Sequence, residues 1–221
     1  MIPLLSIPVL NRYDLLDENL NSIDFPIEEI LIINNGKEIY NPKRKDLNIK
    51  VLNLPSNLGM AGSWNLTIKL YPHKPYWVFS SADIYFPPGS LSQIDNNSGK
   101  LKLVVSTEGF SCFSVGENVV RKVGLFDEYF YPYLFEDSDY FDRARIVSEK
   151  SQDKEFAIVQ NLPSVISVGG PAQTINSDKK LFQKYSETRD ENEKYYLFKK
   201  QNNYNTHKGW DIDRRREHEW L

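Results

Sequence analysis

Several functional classes are closed to this chain by what it has little of. Its 221 residues include a single cysteine, Cys112, so no intrachain disulfide can form, and a reducing, cytoplasmic setting is expected rather than that of a secreted disulfide scaffold. No apolar run reaches the roughly 18 residues of a membrane-spanning helix, so no transmembrane segment is expected. The opening MIPLLSIPVLNR has no basic stretch ahead of its apolar run and no small-residue cleavage site. Polar Asn11, Arg12 and Asp14 follow at once, and a signal peptide is not expected. Basic residues are not in excess: 27 Lys and Arg against 30 Asp and Glu give a net charge of −3. That removes the global basic field of a dedicated duplex-DNA binder and leaves only a local patch open. Internal repeats and low-complexity segments are also missing.

What remains is an ordinary globular balance, 40% hydrophobic and 26% charged, in a chain long enough to bury a sizeable core. Apolar runs at Ile2–Val9, Glu29–Ile33, Lys50–Leu54 and Tyr76–Ser80 read as strands. Helical patterns separate them, with Leu16, Leu20 and Ile23 on one face and Ala61, Trp64 and Ile68 on another. Strands alternating with helices at this spacing predict an α/β protein with a parallel sheet covered on both faces. After Asp83 the rhythm changes. Pro87-Pro88-Gly89-Ser90 predicts a break and a short helix through Ile94, and strands are predicted near Leu101–Val105, Phe110–Val115, Phe156–Val159 and Ser164–Val168, making the sheet mixed. Helices are predicted over Glu117–Val123 and Glu136–Val147. From Ser177 the composition turns polar, and Leu181, Tyr185, Tyr196 and Lys199–Lys200 on helical spacing predict a C-terminal helix. The expected organisation is a main domain over residues 1–176 with a helical extension and tail over 177–221.

Four segments in order, SIPVLNR, LIINNG, NLGMAGSWN and FEDSDYFDRAR, resemble glycosyltransferase family 2, the nucleotide-sugar-dependent enzymes with the GT-A fold. The resemblance covers roughly Ile2 to Val168. In it SIPVLNR corresponds to the first strand and donor loop, with Pro8, Asn11 and Arg12 at the nucleotide. In LIINNG, Asn34 stands where Asp is common, beside Asn35, and implies a hydrogen bond to the base. Alone, Asn-Gly reads equally well as a turn. NLGMAGSWN is similar to the NLGxAGxxN element of the rhamnosyl- and galactofuranosyl-transferase-like members. Gly59 and Gly62 are then expected to let the backbone approach the donor phosphates, with Asn57 and Asn65 at the ends. Small residues for close helix packing are the alternative.

SSADIYF lies where the family carries its Asp-X-Asp metal motif, and only Asp83 of that motif is kept. The resemblance implies Mn²⁺ or Mg²⁺ at Asp83, bridging to the donor diphosphate. FEDSDYFDRAR, preceded by GLFDEYFYPYLF, resembles the family's E-D-x-D-x-x-x-R element, with Glu136, Asp137, Asp139 and Arg143 in place. Asp137 is implied as the general base and Glu136 and Asp139 as its catalytic neighbours. An isolated EDSD reads instead as an acidic helix start favoured by the helix dipole. The family's late metal-binding His is absent from SVGGPAQT, which leaves His207, in NTHKGWD, as a weak candidate ligand. Arg214–Arg216 sit among Asp211, Asp213, Glu217 and Glu219, a solvated mixed-charge face or a contact for an anionic acceptor, a phospholipid surface or nucleic acid. Trp210 and Trp220 suit stacking or anchoring of the tail.

By resemblance, then, the chain is an inverting, metal-assisted glycosyltransferase using a UDP-, dTDP- or GDP-sugar. Its acceptor is a hydroxyl of a surface saccharide, with a protein or a hydroxylated DNA base also open. A non-catalytic nucleotide-sugar-binding protein of the same fold is the alternative that the reduced Asp-X-Asp and missing His suggest. A nucleotidyltransferase ranks below both, since SIPVLNR holds neither the glycine nor the lysine of a phosphate loop.

Overall fold

The computed structural model describes residues 1–151, 155–169, 173–177 and 179–204. Within these, β1 (Leu5–Val9), β2 (Ile30–Asn34), β3 (Ile49–Asn53) and β4 (Tyr76–Ser80) run parallel, in spatial order β3-β2-β1-β4. The intervening helices are α1 (Tyr13–Asn21) and α2 (Gly59–Leu70). Every residue of β1, β2 and β4 is buried, as expected of parallel strands covered on both faces. The first strand is shorter than the predicted Ile2–Val9. Pro3 has no N–H to donate to a ladder, and Ile2 makes only an isolated bridge to Ile27.

Beyond β4 come β5 (Ile84–Tyr85), α3 (Ser90–Asn97), β6 (Lys102–Ser106), β7 (Gly109–Gly116), α4 (Glu117–Val123), α5 (Glu136–Lys150) and β8 (Ala157–Gln160). β7 inserts antiparallel between β4 and β6, and β8 pairs parallel with β6, which completes a mixed seven-stranded sheet in the order β3-β2-β1-β4-β7-β6-β8. The strand predicted at Ser164–Val168 is only β9 (Ile166–Ser167). It leaves the main sheet to pair with β5, a strand absent from the sequence reading. α6 (Gln173–Asn176) and α7 (Lys179–Gln201) follow.

Alternate residues of each strand feed two cores, one on each face. Leu5, Ile7, Ile30, Ile32 and Val78 meet Leu16 and Leu20 of α1 and Leu91 and Ile94 of α3. Leu31, Ile33, Trp77 and Phe79 meet Trp64 and Ile68 of α2, Val119 of α4 and Tyr140 and Ala144 of α5. The second core is aromatic: Trp64 packs edge-on to Phe113 at 5.0 Å, and Phe126 stacks on Tyr140 at 4.0 Å. No helix among the described residues is long and apolar enough to cross a membrane.

α7 docks on the stretch between β7 and α5 through both polar groups and rings, with Tyr195 packed on Tyr129 and Phe130. Leu181 is half-buried, and the Tyr185 side chain lies outside the description. Tyr196 donates its hydroxyl to Asp142 at 2.7 Å and stacks on Phe135. Asn192, wholly buried, donates to the carbonyls of Tyr133 and Leu134 at 3.0 and 3.4 Å.

Candidate active site

In an open α/β sheet, ligands bind beyond the carboxyl ends of the strands, where the strand order reverses. Here that point lies between β1 and β4, and a cavity of about 440 Å³ opens there. Pro8, Val9 and Leu10 leave β1 into its wall, Asn35 comes from the end of β2, and Asn57, Gly59 and Trp64 come from the approach and start of α2. Ser81–Asp83 follow β4, and the opposite wall is the 132–134 segment with Glu136 and Asp137 of α5. Residues from about position 8 to position 137 thus share one crevice.

Each functional side chain has a physical reason for its place. Asn19 on α1 donates to Ser80 Oγ, Ser81 O and Ile84 O at 3.2, 3.3 and 2.7 Å, which fixes the turn carrying Asp83. The Asp83 carbonyl also accepts from Val168 N at 2.8 Å. Burial raises the Asp83 carboxyl above its ordinary value, opposed by backbone N–H groups of Asp83 and Gln173 and by the nearby charge of Arg12. Arg12 does not line the cavity. Its guanidinium forks onto Asp14 at 2.8 and 2.6 Å.

Asn35 is a strut. Its Oδ1 accepts from Leu58 N at 2.9 Å and its Nδ2 donates to Ser63 Oγ at 3.0 Å, tying the end of β2 to α2. Asn57 Oδ1 accepts from Gly59 N at 2.8 Å, and no side chain caps α2. Gly59 has φ +70°, and a Cβ there would lie 2.5 Å from the Pro132 carbonyl. Its small size therefore makes room for the chain's own 132 segment, whose carbonyl accepts from Met60 N at 2.9 Å.

At the acidic wall, Leu134 and Phe135 both take left-handed backbone angles (φ 81° and 72°), uncommon for bulky residues, just before Glu136 begins α5. Asp137 is half-buried, and its Oδ1 accepts from Ser138 N at 2.7 Å. Glu136 is 5% exposed, and its Oε2 has no hydrogen-bond partner among the described residues. Burial, and then the adjacent charge of Asp137, push the Glu136 carboxyl well above its usual range. Burial thus favours the neutral, hydrogen-bonding form of the Glu136 carboxyl.

Other residues singled out from the sequence lie away from the cavity lining. Asn34 spends its carboxamide inside the chain: Oδ1 accepts from Tyr13 OH and Gly36 N at 2.9 and 3.0 Å, and Nδ2 donates to Glu38 O and Asn53 Oδ1 at 2.7 Å each. Asn65 forms a two-way amide pair with the Phe126 backbone, at 2.9 Å in both directions, and clamps α2 to the segment leading into α5. Gly62 is buried within α2, and Asn11 is half-buried beside β1. Asp139 is fully buried and ion-paired to Arg143 at 2.8 Å and to Lys199 at 2.5 Å. His207, Trp210, Arg214–Arg216 and Trp220 lie outside the described residues.

Lys199 is the main feature the sequence reading missed. It is wholly buried on α7, with Nζ 2.6 Å from Asp127 Oδ2 and 2.5 Å from Asp139 Oδ1, while Tyr195 OH donates to Asp127 at 3.0 Å. Arg143 completes the cluster by donating to the Val123 and Leu125 carbonyls at 2.9 and 3.0 Å. The FDE of GLFDEYF was the available signal, since Asp127 supplies one of the two carboxylates.

The profile of Glycosyl transferase family 2 matches residues 5–130, more than half of the chain. The chain belongs to glycosyl transferase family 2. Its mixed, mostly parallel sheet is the GT-A fold, shared with two solved structures at low identity. TarS of S. aureus matches with a TM-score of 0.56 and 15% identity over 80% of this chain and 38% of that one. GalNAc-T7, solved with UDP, GalNAc and Mn²⁺, matches with a TM-score of 0.56 and 10% identity over 76% of this chain and 44% of that one. The family 2 chain described here spans less than half the length of either protein. A search of curated protein sequences returned no match.

Proposed function

We propose that the protein is an inverting glycosyltransferase that moves a sugar from a nucleoside-diphosphate sugar to an acceptor hydroxyl. One observation carries the reading: Asp83 and the Glu136–Asp137 pair, far apart in sequence, line a single crevice at the carboxyl ends of β1, β2 and β4. NLGMAGSWN favours a rhamnosyl- or galactofuranosyl-transferase-like subgroup.

The donor's sugar-diphosphate fits between the start of α2 and Asp83, where no Lys, Arg or His lines the cavity among the described residues. Positive charge must come from elsewhere. No group of three or more His, Cys, Asp or Glu that could hold a metal forms among those residues. A single half-buried carboxylate still fits Mg²⁺ or Mn²⁺, which commonly take one or two carboxylates and complete their shell with phosphates and water. A divalent ion at Asp83 supplies countercharge to the diphosphate. Asp137 accepts the proton of the acceptor hydroxyl. That oxygen bonds to the anomeric carbon from the face opposite the diphosphate, and the bond to the leaving phosphate breaks with its electron pair on the nucleotide. Glu136, whose carboxyl burial pushes toward its neutral form, orients the acceptor beside Asp137. α7, in the C-terminal extension, is assigned to the acceptor side.

UDP-sugars with Mn²⁺ are the first pair to test. Calorimetric binding and donor turnover are measured on the wild type, Asp83→Ala and Asp137→Asn. The reading requires metal-dependent donor binding that Asp83→Ala weakens, and a rate loss of about 10²–10⁴-fold in Asp137→Asn with donor affinity kept. Tight donor binding without turnover on any acceptor identifies a non-catalytic nucleotide-sugar-binding protein instead.

A further inference from the structure

A second cavity, of about 330 Å³, lies on the other side of the acidic wall and is formed where that wall meets α7. Tyr133 and Leu134 line both cavities, so the two are separated by one thickness of chain. Two residues further on, Glu136 and Asp137 face the first cavity. The partition is held firmly. Its left-handed residues Leu134 and Phe135 are strained positions, and such positions persist only where surrounding contacts over-determine them. Here Asn192 binds the Tyr133 and Leu134 carbonyls, and the Phe135 carbonyl accepts from Asp139 N at 2.9 Å.

The chemistry of the two cavities is opposite in sign. The first carries the carboxyl groups of Asp83, Glu136 and Asp137 and no cationic side chain among its described lining. The second carries Arg189, which makes no ion pair among the described residues, and its described lining holds no carboxyl group. Around Arg189 stand the rings of Tyr133, Phe135 and Phe182, the last 54% exposed despite its size. Asn176 adds a polar group at the rim. Flat rings beside a lone guanidinium suit a sugar ring that bears an acid: the rings cover its C–H face, and the planar fork takes a carboxylate or phosphate in two hydrogen bonds.

We propose that this second cavity is an acceptor subsite for an anionic saccharide, with Arg189 binding the acid group and the hydroxyl to be modified reaching over the Tyr133–Leu134 partition toward Asp137. The inference rests on the glycosyltransferase reading for its role, while the subsite itself is testable without it. Repulsion from the carboxylates of the first cavity and attraction to Arg189 then set the direction in which the acceptor lies.

The test uses the full chain with UDP and Mn²⁺ present. Three probes of similar size are titrated by calorimetry: a neutral gluco-oligosaccharide, a hexuronic-acid oligosaccharide and a phosphate-linked glycerol oligomer. At least one acidic probe should bind ten-fold or more tightly than the neutral one and weaken with added salt. Whichever acidic probe prevails distinguishes carboxylate from phosphate. Arg189→Gln, at an exposed position that leaves the fold intact, should weaken that probe about ten-fold, the ordinary worth of a charged hydrogen bond, with UDP affinity unchanged. Phe182→Ser should weaken it without altering its salt dependence. Equal binding of all three probes, binding of none, or an Arg189→Gln protein with unaltered affinity overturns the proposal. The UDP titration on the same samples reports separately on the donor site. Its failure beside an Arg189-dependent acidic probe would sink the glycosyltransferase reading and leave the anion-saccharide site standing.

Discussion

Replacing Lys199 with methionine keeps the length and apolar stem of the side chain and removes its charge. Lys199, Asp127 and Asp139 are each at most 1% exposed, and the ammonium lies 2.6 and 2.5 Å from the two carboxylates. With Arg143 included the cluster is neutral, so the substitution leaves it with one uncompensated negative charge. Tyr195 OH and the Arg143 guanidinium remain as partial compensation. Removing one partner of a buried pair costs roughly 3–5 kcal/mol. For a chain of this length each kcal/mol moves Tm by about 2–4 °C, so Lys199→Met should melt about 6–20 °C lower. Thermal and urea unfolding of Lys199→Met, Asp127→Asn and the double variant measure this. Because Asp127→Asn removes the orphaned charge, the double variant should be more stable than the sum of the two losses predicts. A Lys199→Met loss of less than about 1 kcal/mol, the scale of an exposed pair, or strictly additive losses would refute the buried-cluster account.

Glu136→Gln should stabilise the protein at neutral and higher pH. A carboxyl raised in the folded state binds more protons there than in the unfolded chain, so its contribution to stability falls as pH rises above its ordinary value of 4.5. The Tm gain of the variant should therefore grow as pH rises above 4.5 and vanish below it. A gain independent of pH would contradict the burial of this carboxyl. Gly59→Ala should cost at least about 1–2 kcal/mol from its left-handed backbone alone. Its Cβ also meets the Pro132 carbonyl, so donor turnover should fall by more than the stability loss explains; a turnover equal to wild type in the folded variant would refute the coupling. Cys112 is fully buried, and burial pushes its thiol up to about 12, so it should stay unreactive to a thiol reagent at pH 8 until denaturant is added. Immediate labelling of the native protein would contradict its burial on β7, beside Ser80 of β4.

The order of strands and helices up to β4 was legible because burial on both faces leaves a plain mark: uninterrupted runs such as LSIPV and ILIIN, bounded by Asn-Arg and Asn-Asn-Gly. The positions of Pro8 and Asp83 were legible because a parallel sheet brings the ends of its strands to one edge, whereas Glu136 and Asp137, at the start of α5, were placed by the resemblance alone. The use made of polar side chains was not. Asn34, Asn57 and Asn65 stand in one kind of motif, yet Asn65 serves the Phe126 backbone, Asn34 closes its own turn, and only Asn57 reaches the cavity lining. An asparagine that completes a backbone hydrogen bond and one that faces a ligand look alike until the partner is placed. Lys199 was harder still. A lysine on a polar helix reads as solvated, and the carboxylate that buries it, on Asp127, is 72 residues away.

The docking of α7 also imposes an order of assembly. A chain emerging from the ribosome has every element from β1 to Asp83 long before residue 199 exists. Until that lysine arrives, Asp127 and Asp139 lack the ammonium that joins them, and Arg143 pairs with Asp139. Mutual repulsion favours keeping the 127–139 stretch open to water. The acidic wall thus gains its last tie from an ammonium on α7, and a nicked protein lacking α7 would keep the β1–β4 edge of the crevice while the opposite wall lost that tie.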